Sequence, residues 1–223
     1  MWCIPPDQDA AFVAQMEQVL QVYSQSYDPK RPVVCMDEQP KQLIRETREC
    51  ITTAHGEQRI DHEYIREGVC NVWMFVEPLG GWRDVRVSDR RTAIDWAHQV
   101  QALVDDPRYA VAQHITLVCD NLNTHKLASL YLAFDPQEAL RIANRIELIH
   151  TPKHGSWLNI AECELSVLSG QCLNRRIPET QTIRHETQAW SSARNTSQTG
   201  VDWQFTTADA RIKLKRLYPQ FQT

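Results

Sequence analysis

The sequence predicts an α/β fold in which a mixed sheet is flanked by helices. Two short apolar runs, 33–36 and 115–119, are typical of buried strands, and each is followed by an aspartate. A hairpin is indicated because the strand-like segment 69–77 is followed by a Pro-Leu-Gly-Gly turn, after which 82–87 runs back. Because helical patterns alternate with these strands, a layered α/β architecture is expected.

The remaining elements follow from periodicity and capping signals. A further strand is predicted at 146–149 and a short one at 203–205, whereas the polar stretch 38–68 has no clear assignment. After Thr151-Pro152 a helix is predicted from Ser156 to about Leu168, with the Ser156 hydroxyl as its N-cap. The other predicted helices are 8–24, 92–104, one or two short ones within 126–144, 178–194 and 208–217.

The composition is that of an ordinary globular protein. The 223 residues are 42% hydrophobic and 23% charged, and no apolar run of membrane-spanning length or secretory leader occurs, so we expect no membrane association and a cytoplasmic location. The seven cysteines are odd in number and form no CxxC pair, which argues against a zinc ribbon or a disulfide framework. The net charge of −4 argues mildly against nucleic-acid binding, although local basic clusters exist.

Two aspartates follow the predicted buried strands and are candidates for metal ligands. If the strands before Asp37 and Asp120 are parallel neighbours, both carboxylates emerge at one edge of the sheet, where ligands bind in such folds. Carboxylates this close repel each other unless a cation lies between them, and oxygen ligands suit Mg²⁺ or Mn²⁺. The alternative is that each aspartate merely begins a turn.

A third acidic group lies in the helix predicted after Ser156. Glu162 would be about two turns into that helix and could reach both aspartates. Glu164 is a rival, but residues two apart on a helix point to nearly opposite sides, so only one can face the site. An ordinary exposed helix glutamate remains the alternative for either.

Three segments of the chain resemble the catalytic blocks of mariner-like DDE transposases, and most closely those of the bacterial insertion sequence 630 type. They are 33–43 (VVCMDEQPKQL), 117–126 (LVCDNLNTHK) and 150–165 (HTPKHGSWLNIAECEL), and the end of the chain, 203–219, is also similar. The resemblance implies a ribonuclease-H-like fold with a mixed five-stranded sheet, which the order of the predicted elements also fits. It identifies Asp37, Asp120 and Glu162 as the catalytic, metal-binding triad.

The resemblance also implies an activity and its partners. The expected reaction is cleavage of transposon ends and strand transfer into target DNA, with two Mg²⁺ or Mn²⁺ ions per site, of which Asp37 would bridge both. Double-stranded DNA and a second copy in a homodimer are the expected partners, in a bacterial, nucleoid-associated setting. Two alternatives stay open: a ribonuclease-H-like nuclease without strand transfer, and an inactive truncated remnant.

Several basic residues are candidates for DNA contacts. His125 could contact a phosphate or assist proton transfer, and Lys153 and His154 precede the predicted catalytic helix, whose N-terminus favours phosphate. The C-terminal residues Arg211, Lys213, Lys215 and Arg216 could follow a DNA backbone, although a solvated helix face is equally compatible with them.

The expected organisation is a helical lead-in at 1–30, a catalytic domain at 31–200 and a basic C-terminal segment at 201–223. Relatives in the resembling family carry helix-turn-helix DNA-binding modules before the catalytic domain. Here the first helix leads almost directly to Asp37. We therefore expect those modules to be missing or encoded separately.

Overall fold

A computed structural model describes residues 7–48, 51–52, 58–59, 62–198 and 200–220. Its main sheet has five strands in the order β5-β4-β1-β6-β7, and β1 is antiparallel to β4 but parallel to β6. The strands are β1 (Val33–Glu46), β2 (Ile51–Thr52), β3 (Gln58–Arg59), β4 (Tyr64–Glu77), β5 (Trp82–Ser88), β6 (Ile115–Cys119) and β7 (Ile146–His150). Strands β2 and β3 pair separately, as a small second sheet.

Helices cover both faces of the main sheet. They are α1 (Ala10–Tyr23), α2 (Ala93–Val104), α3 (Leu130–Ala133), α4 (Pro136–Ala143), α5 (Ile160–Leu168), α6 (Thr180–Thr196) and α7 (Thr207–Lys213). On one face Val33 and Cys35 of β1 pack with α1, α5 and part of α6, and on the other Val34 and Met36 pack with α2, α3 and α4. This division follows from the two-residue period of strand side chains.

The prediction that the first strand ends at Asp37 was wrong. Strand β1 continues to Glu46 because β4 pairs with it throughout, from Cys35 opposite Val76 to Glu46 opposite Tyr64. The polar stretch without an assignment therefore contains the second half of one strand and the beginning of another. Strand β6 pairs with β1 only up to Cys35, and among the residues that the structure describes no other strand pairs with that side of β1 from Met36 onwards.

The entry to α5 also differs from the prediction. Ser156 begins a short 3₁₀ turn, and the helix itself begins at Ile160 with Asn159 as its N-cap. Glu162 therefore lies in the first turn of α5 and not two turns in. The carboxamide oxygen of Asn159 accepts a hydrogen bond from the Ala161 amide at 3.1 Å, the role predicted for the Ser156 hydroxyl.

The C-terminal segment packs on α1 and does not form the predicted strand at 203–205. The Trp203 indole donates a hydrogen bond to the carbonyl of Phe205 at 2.8 Å, which folds this stretch back on itself. Helix α7 and a following 3₁₀ turn, Lys215–Leu217, replace the single helix predicted at 208–217. In the part of the chain that the structure describes, no helix combines the length and apolar character that crossing a bilayer requires.

Candidate active site

Three carboxylates from distant parts of the chain line one open cleft of about 520 Å³. Asp37 lies within β1, Asp120 directly follows β6, and Glu162 is in the first turn of α5. The parallel pairing of β1 and β6 brings the two aspartates to the same edge of the sheet. Asp37 continues the alternation of Val33 and Cys35, which places its side chain on the face that α5 covers.

Crowding of negative charge changes the acidity of Asp37. Burial, followed by the nearby Asp120 carboxylate, raises the pKa of Asp37 from 3.8 to about 7, and Glu162 contributes in the same direction. A hydrogen bond from the Glu38 amide, 2.8 Å long, opposes this rise only in part. A cation near these oxygens would relieve the repulsion.

His125 holds the carboxylate of Asp120 in place. Its Nδ1 lies 2.5 Å from Asp120 Oδ1, its Nε2 lies 3.3 Å from Glu38 Oε2, and its ring stacks on Trp96 at 5.7 Å between centroids. Burial lowers the pKa of His125, but interactions with Asp120, Cys119 and Glu38 together raise it to about 12. A charged imidazolium would hydrogen-bond Asp120 through Nδ1 and pair with the Glu38 carboxylate by charge, since Nε2 and Glu38 Oε2 make no hydrogen bond within the described residues.

A direct contact between His125 and DNA does not fit this environment. Only 1% of the His125 surface is exposed, and both ring nitrogens face carboxylates. The predicted phosphate contact is therefore replaced by a positioning role toward Asp120. Sequence reasoning missed this because burial of a histidine in a polar loop has no signal in periodicity.

The two rival glutamates of α5 face different surroundings. Glu162 is exposed and lines the cleft, whereas Glu164 is buried and lies outside it. Arg83 contacts both carboxylate oxygens of Glu164 at 3.0 Å, and Arg194 contacts one of them at 3.0 Å. Burial acts to raise the pKa of Glu164, but the two guanidinium groups lower it below its ordinary value. Glu162 is thus the α5 carboxylate available to the cleft.

Asn159 connects the third carboxylate to the first. Its amide nitrogen donates to the Met36 carbonyl at 2.9 Å, while its oxygen caps α5. The Tyr23 hydroxyl donates to the Leu158 carbonyl at 2.8 Å and ties α1 to the same turn. These contacts fix the start of α5 against β1 next to Asp37. The preference of Asn for N-caps is the sequence signal that could have identified this residue.

The other predicted DNA-binding residues do not line the cleft of the three carboxylates. Lys153 and His154 are exposed in the loop before α5, and His154 adopts a left-handed backbone with φ of 65°. Arg211 makes two hydrogen bonds to Glu17 of α1, and Lys213 pairs with Asp209. Lys215 and Arg216 are exposed, with no ion-pair partner in the residues that the structure describes.

The ligand atoms that the cleft offers are of the chemical type that hard divalent cations prefer. Asp37, Asp120 and Glu162 offer carboxylate oxygens, which Mg²⁺ and Mn²⁺ prefer, and no sulfur ligand lines the cleft. Within the described ranges, no three His, Cys, Asp or Glu side chains are close enough together to hold a metal ion. The three carboxylates therefore share a cleft without forming a closed coordination shell.

Comparison with solved structures confirms the fold. The Mos1 mariner paired end complex with Mn is similar with a TM-score of 0.55 and 14% identity, over 86% of this chain and 58% of that chain. The Mos1 transposase paired-end complex with left transposon end gives a TM-score of 0.56 and 12% identity, over 86% and 57%. This chain thus spans little more than half the length of these proteins, and the likeness confirms the predicted ribonuclease-H-like mixed five-stranded sheet.

Sequence comparison gives the family. None of the curated proteins compared matches the sequence. The model of the DDE superfamily endonuclease family matches residues 32–184, which is more than half of the chain and includes all three cleft carboxylates. The chain therefore belongs to the DDE superfamily endonucleases.

Proposed function

We propose that this chain is the catalytic portion of a DNA transposase of the mariner-like, insertion sequence 630 type. Its reaction would be metal-dependent cleavage of transposon ends followed by joining to target DNA. The observation that carries the proposal is the convergence of Asp37, Asp120 and Glu162 in one cleft, although they come from distant segments. The block order and the Trp-Leu-Asn before the helix of Glu162 support the finer assignment.

The carboxylates of Asp37, Asp120 and Glu162 would hold the divalent metal ions. When bound, such ions activate an attacking oxygen and stabilise the leaving oxygen of a phosphodiester. The protein's own part is to hold the ligands: His125 fixes the Asp120 carboxylate, and Asn159 fixes the helix that carries Glu162. Exposed Lys153 and His154, beside the start of α5, would contact DNA phosphate.

DNA ends and a second copy of the chain are the proposed partners. The similar Mos1 structures are described as paired-end and strand transfer complexes, one of them with a left transposon end. Lys215 and Arg216 are exposed cations suited to a DNA backbone, which a protein recognises without sequence preference. A dimer on two ends would be seen as a doubled mass when end DNA is added.

The proposal is tested with a labelled duplex that carries the inverted repeat flanking the gene. We expect nicking at the repeat in Mg²⁺ or Mn²⁺, none in EDTA, and joining of a pre-cut 3′ end to plasmid DNA. Asp120→Ala should abolish both reactions, whereas Asp202→Ala, which changes an exposed carboxylate outside the cleft, should not.

The outcomes separate the alternatives. Nicking without joining would support a plain nuclease in place of a transposase. Unchanged cleavage by the Asp120→Ala protein would refute the proposed site, and a folded wild-type protein that cuts no DNA with either metal would support an inactive remnant.

A further inference from the structure

A polar groove leads away from the three carboxylates. The cleft adjoins a second depression of about 260 Å³, because both are lined by Gln39 and Ser169. The second adjoins a third of about 330 Å³, because both are lined by Gly170 and Asn174. The three depressions therefore lie next to one another in a row that leads from the carboxylates to Trp190 on α6, and we call this row the groove.

A π-helical turn shapes the middle of this groove. Helix α5 ends at Leu168, and residues Ser169–Leu173 continue it with a wider turn. Gln39 of β1 donates to the Ser169 hydroxyl at 2.7 Å, and the Lys41 ammonium donates to the Leu173 carbonyl at 2.6 Å. Lys41 also reaches the Arg175 carbonyl at 3.2 Å. These contacts hold β1 and the π turn together as the two sides of the groove.

The charges along the groove suit a phosphodiester chain. Lys41 and Arg175 line it beyond the carboxylate cleft, and the one carboxylate there among the described lining residues, Glu186, already pairs with Arg175 at 2.9 Å. Lys41 has three ammonium hydrogens and uses two on carbonyl oxygens, so one remains for a phosphate. Lys41, Arg175 and Glu186 together carry a net charge of about +1.

An aromatic side chain lines the far end of the groove. The Trp190 indole is half-buried, donates to Gln171 Oε1 at 2.8 Å and carries the Arg194 guanidinium 5.1 Å from its ring centroid. Such a fixed indole can stack on a nucleic-acid base, and base stacking with backbone electrostatics is how proteins bind single strands without sequence preference.

We propose that this groove, from Gln39 to Trp190, binds a single DNA strand that extends from the phosphodiester held at the carboxylates. The inference rests on the proposed function, because it takes DNA as the polymer in the cleft. A strand cut at the carboxylates must continue on each side of the cut, and this groove begins where the cleft ends. Lys41 and Arg175 would contact its backbone, and Trp190 would stack on one of its bases.

Gly170 offers a direct test. A Cβ added there meets nothing within 4 Å, and the backbone is not in the left-handed region, so a side chain can start at this position without backbone strain. Gly170→Glu should weaken binding of a fluorescein-labelled oligodeoxythymidine of about 12 nucleotides by about fivefold, whereas Gly170→Lys should strengthen it. Gln137→Glu adds the same charge on α4, at the opposite face of the sheet, and should leave the affinity unchanged.

Binding is measured by fluorescence anisotropy in EDTA at low salt, with the full chain. Trp190→Ala should weaken binding about tenfold and Trp190→Phe much less, because phenyl retains a stacking face. Equal affinities for Gly170→Glu and Gly170→Lys, or a duplex of the same length that binds more tightly with the same dependence on Gly170, would overturn the proposal. The binding assay contains no metal and therefore does not depend on cleavage. Wild-type protein that binds the oligonucleotide as expected, but cuts no DNA in the separate assay with Mg²⁺ or Mn²⁺, would count against the proposed reaction alone.

Discussion

Glu162 and Glu164 belong to the same short helix, yet they lie in two regions with opposite electrostatic designs. Glu164 is enclosed by Arg83 and Arg194, so its negative charge is neutralised within the protein. Glu162 shares its cleft with Asp37 and Asp120, where negative charges accumulate. A buried carboxylate that is paired with cations cannot lose its charge without cost to the fold, whereas crowded carboxylates without a cation repel one another.

The largest effect should come from the cleft carboxylates. Glu162→Gln, Asp37→Asn and Asp120→Ala should each reduce DNA cleavage by at least about 10³-fold, since each removes a proposed metal ligand. Cleavage of a labelled duplex under single-turnover conditions measures this loss. Circular dichroism should show a folded protein in each case, and cleavage within tenfold of wild type by any of the three would remove that residue from the site.

The second prediction is that Glu164 matters for stability and not for cleavage. Glu164→Gln should lower the free energy of unfolding by about 3 kcal/mol, because it leaves the fully buried Arg83 without its counter-charge. Urea unfolding measures the change, and Glu162→Gln is the matched control because it changes the same side chain two residues away. Equal stability of the two variants would mean that the ion pairs with Arg83 and Arg194 contribute nothing.

The raised pKa of Asp37 should make the stability of the metal-free protein depend on pH. Its pKa is raised from 3.8 to about 7, so between these values the folded protein binds a proton that the unfolded chain has released. The contribution of Asp37 to the free energy of unfolding is therefore fully present below pH 3.8 and is lost as the pH rises to about 7. Asp37→Asn should stabilise the metal-free protein by about 2 kcal/mol above pH 7, about half the free energy of the full shift, because the amide is buried too.

Thermal unfolding in EDTA across this pH range measures the effect. Mg²⁺ should raise the Tm of the wild-type protein and not that of Asp37→Asn, because a ligand of the native state stabilises it. A wild-type Tm that is insensitive to Mg²⁺ would contradict the idea that the crowded carboxylates await a cation.

The smallest effect should be on DNA affinity, where we expect the exposed cations Lys215 and Arg216 to contribute and Arg211, which is paired with Glu17, not to contribute. Lys215→Ala combined with Arg216→Ala should reduce duplex affinity a few-fold and lower the slope of log K against log salt by about 2. Arg211→Ala should leave both unchanged, because Arg211 is occupied by Glu17. The same loss in both proteins would show that pairing in the free protein does not decide which cation meets DNA.

Sequence patterns predicted the main sheet well. All five strands were predicted, although β5 contains three charged residues and was indicated by the turn before it. The aspartates after two of the apolar runs indicated the edge at which Asp37 and Asp120 meet. The patterns failed where strand residues are polar. The second half of β1 contains Pro40 and charged residues, and it forms a strand because β4 pairs with it. Pro40 is tolerated there because β6 no longer pairs with the other side of β1, which is therefore an edge.

The supporting contacts of the site were beyond the sequence. His125 with Glu38, and Glu164 with Arg83, are pairs far apart along the chain, and periodicity carries no information about which polar side chains meet. Spacing alone did not choose between Glu162 and Glu164, which only the family resemblance did, and the physical reason for the choice lies in how α5 faces β5 and α6. A residue spacing says that two side chains diverge, but the neighbours decide which one is neutralised.

The π turn after α5 makes this region tolerant of changes at residue 170. A π turn holds one more residue than the α-helical turn it replaces. Deleting Gly170 would restore regular α-helical winding, and Leu173, 2% exposed, would stay close to its place in the core because the wider turn had already absorbed the extra residue. A Cβ added at the same position meets nothing within 4 Å. Natural variants should therefore tolerate both substitution and loss of residue 170, while the residues that pack around Leu173 keep their apolar character.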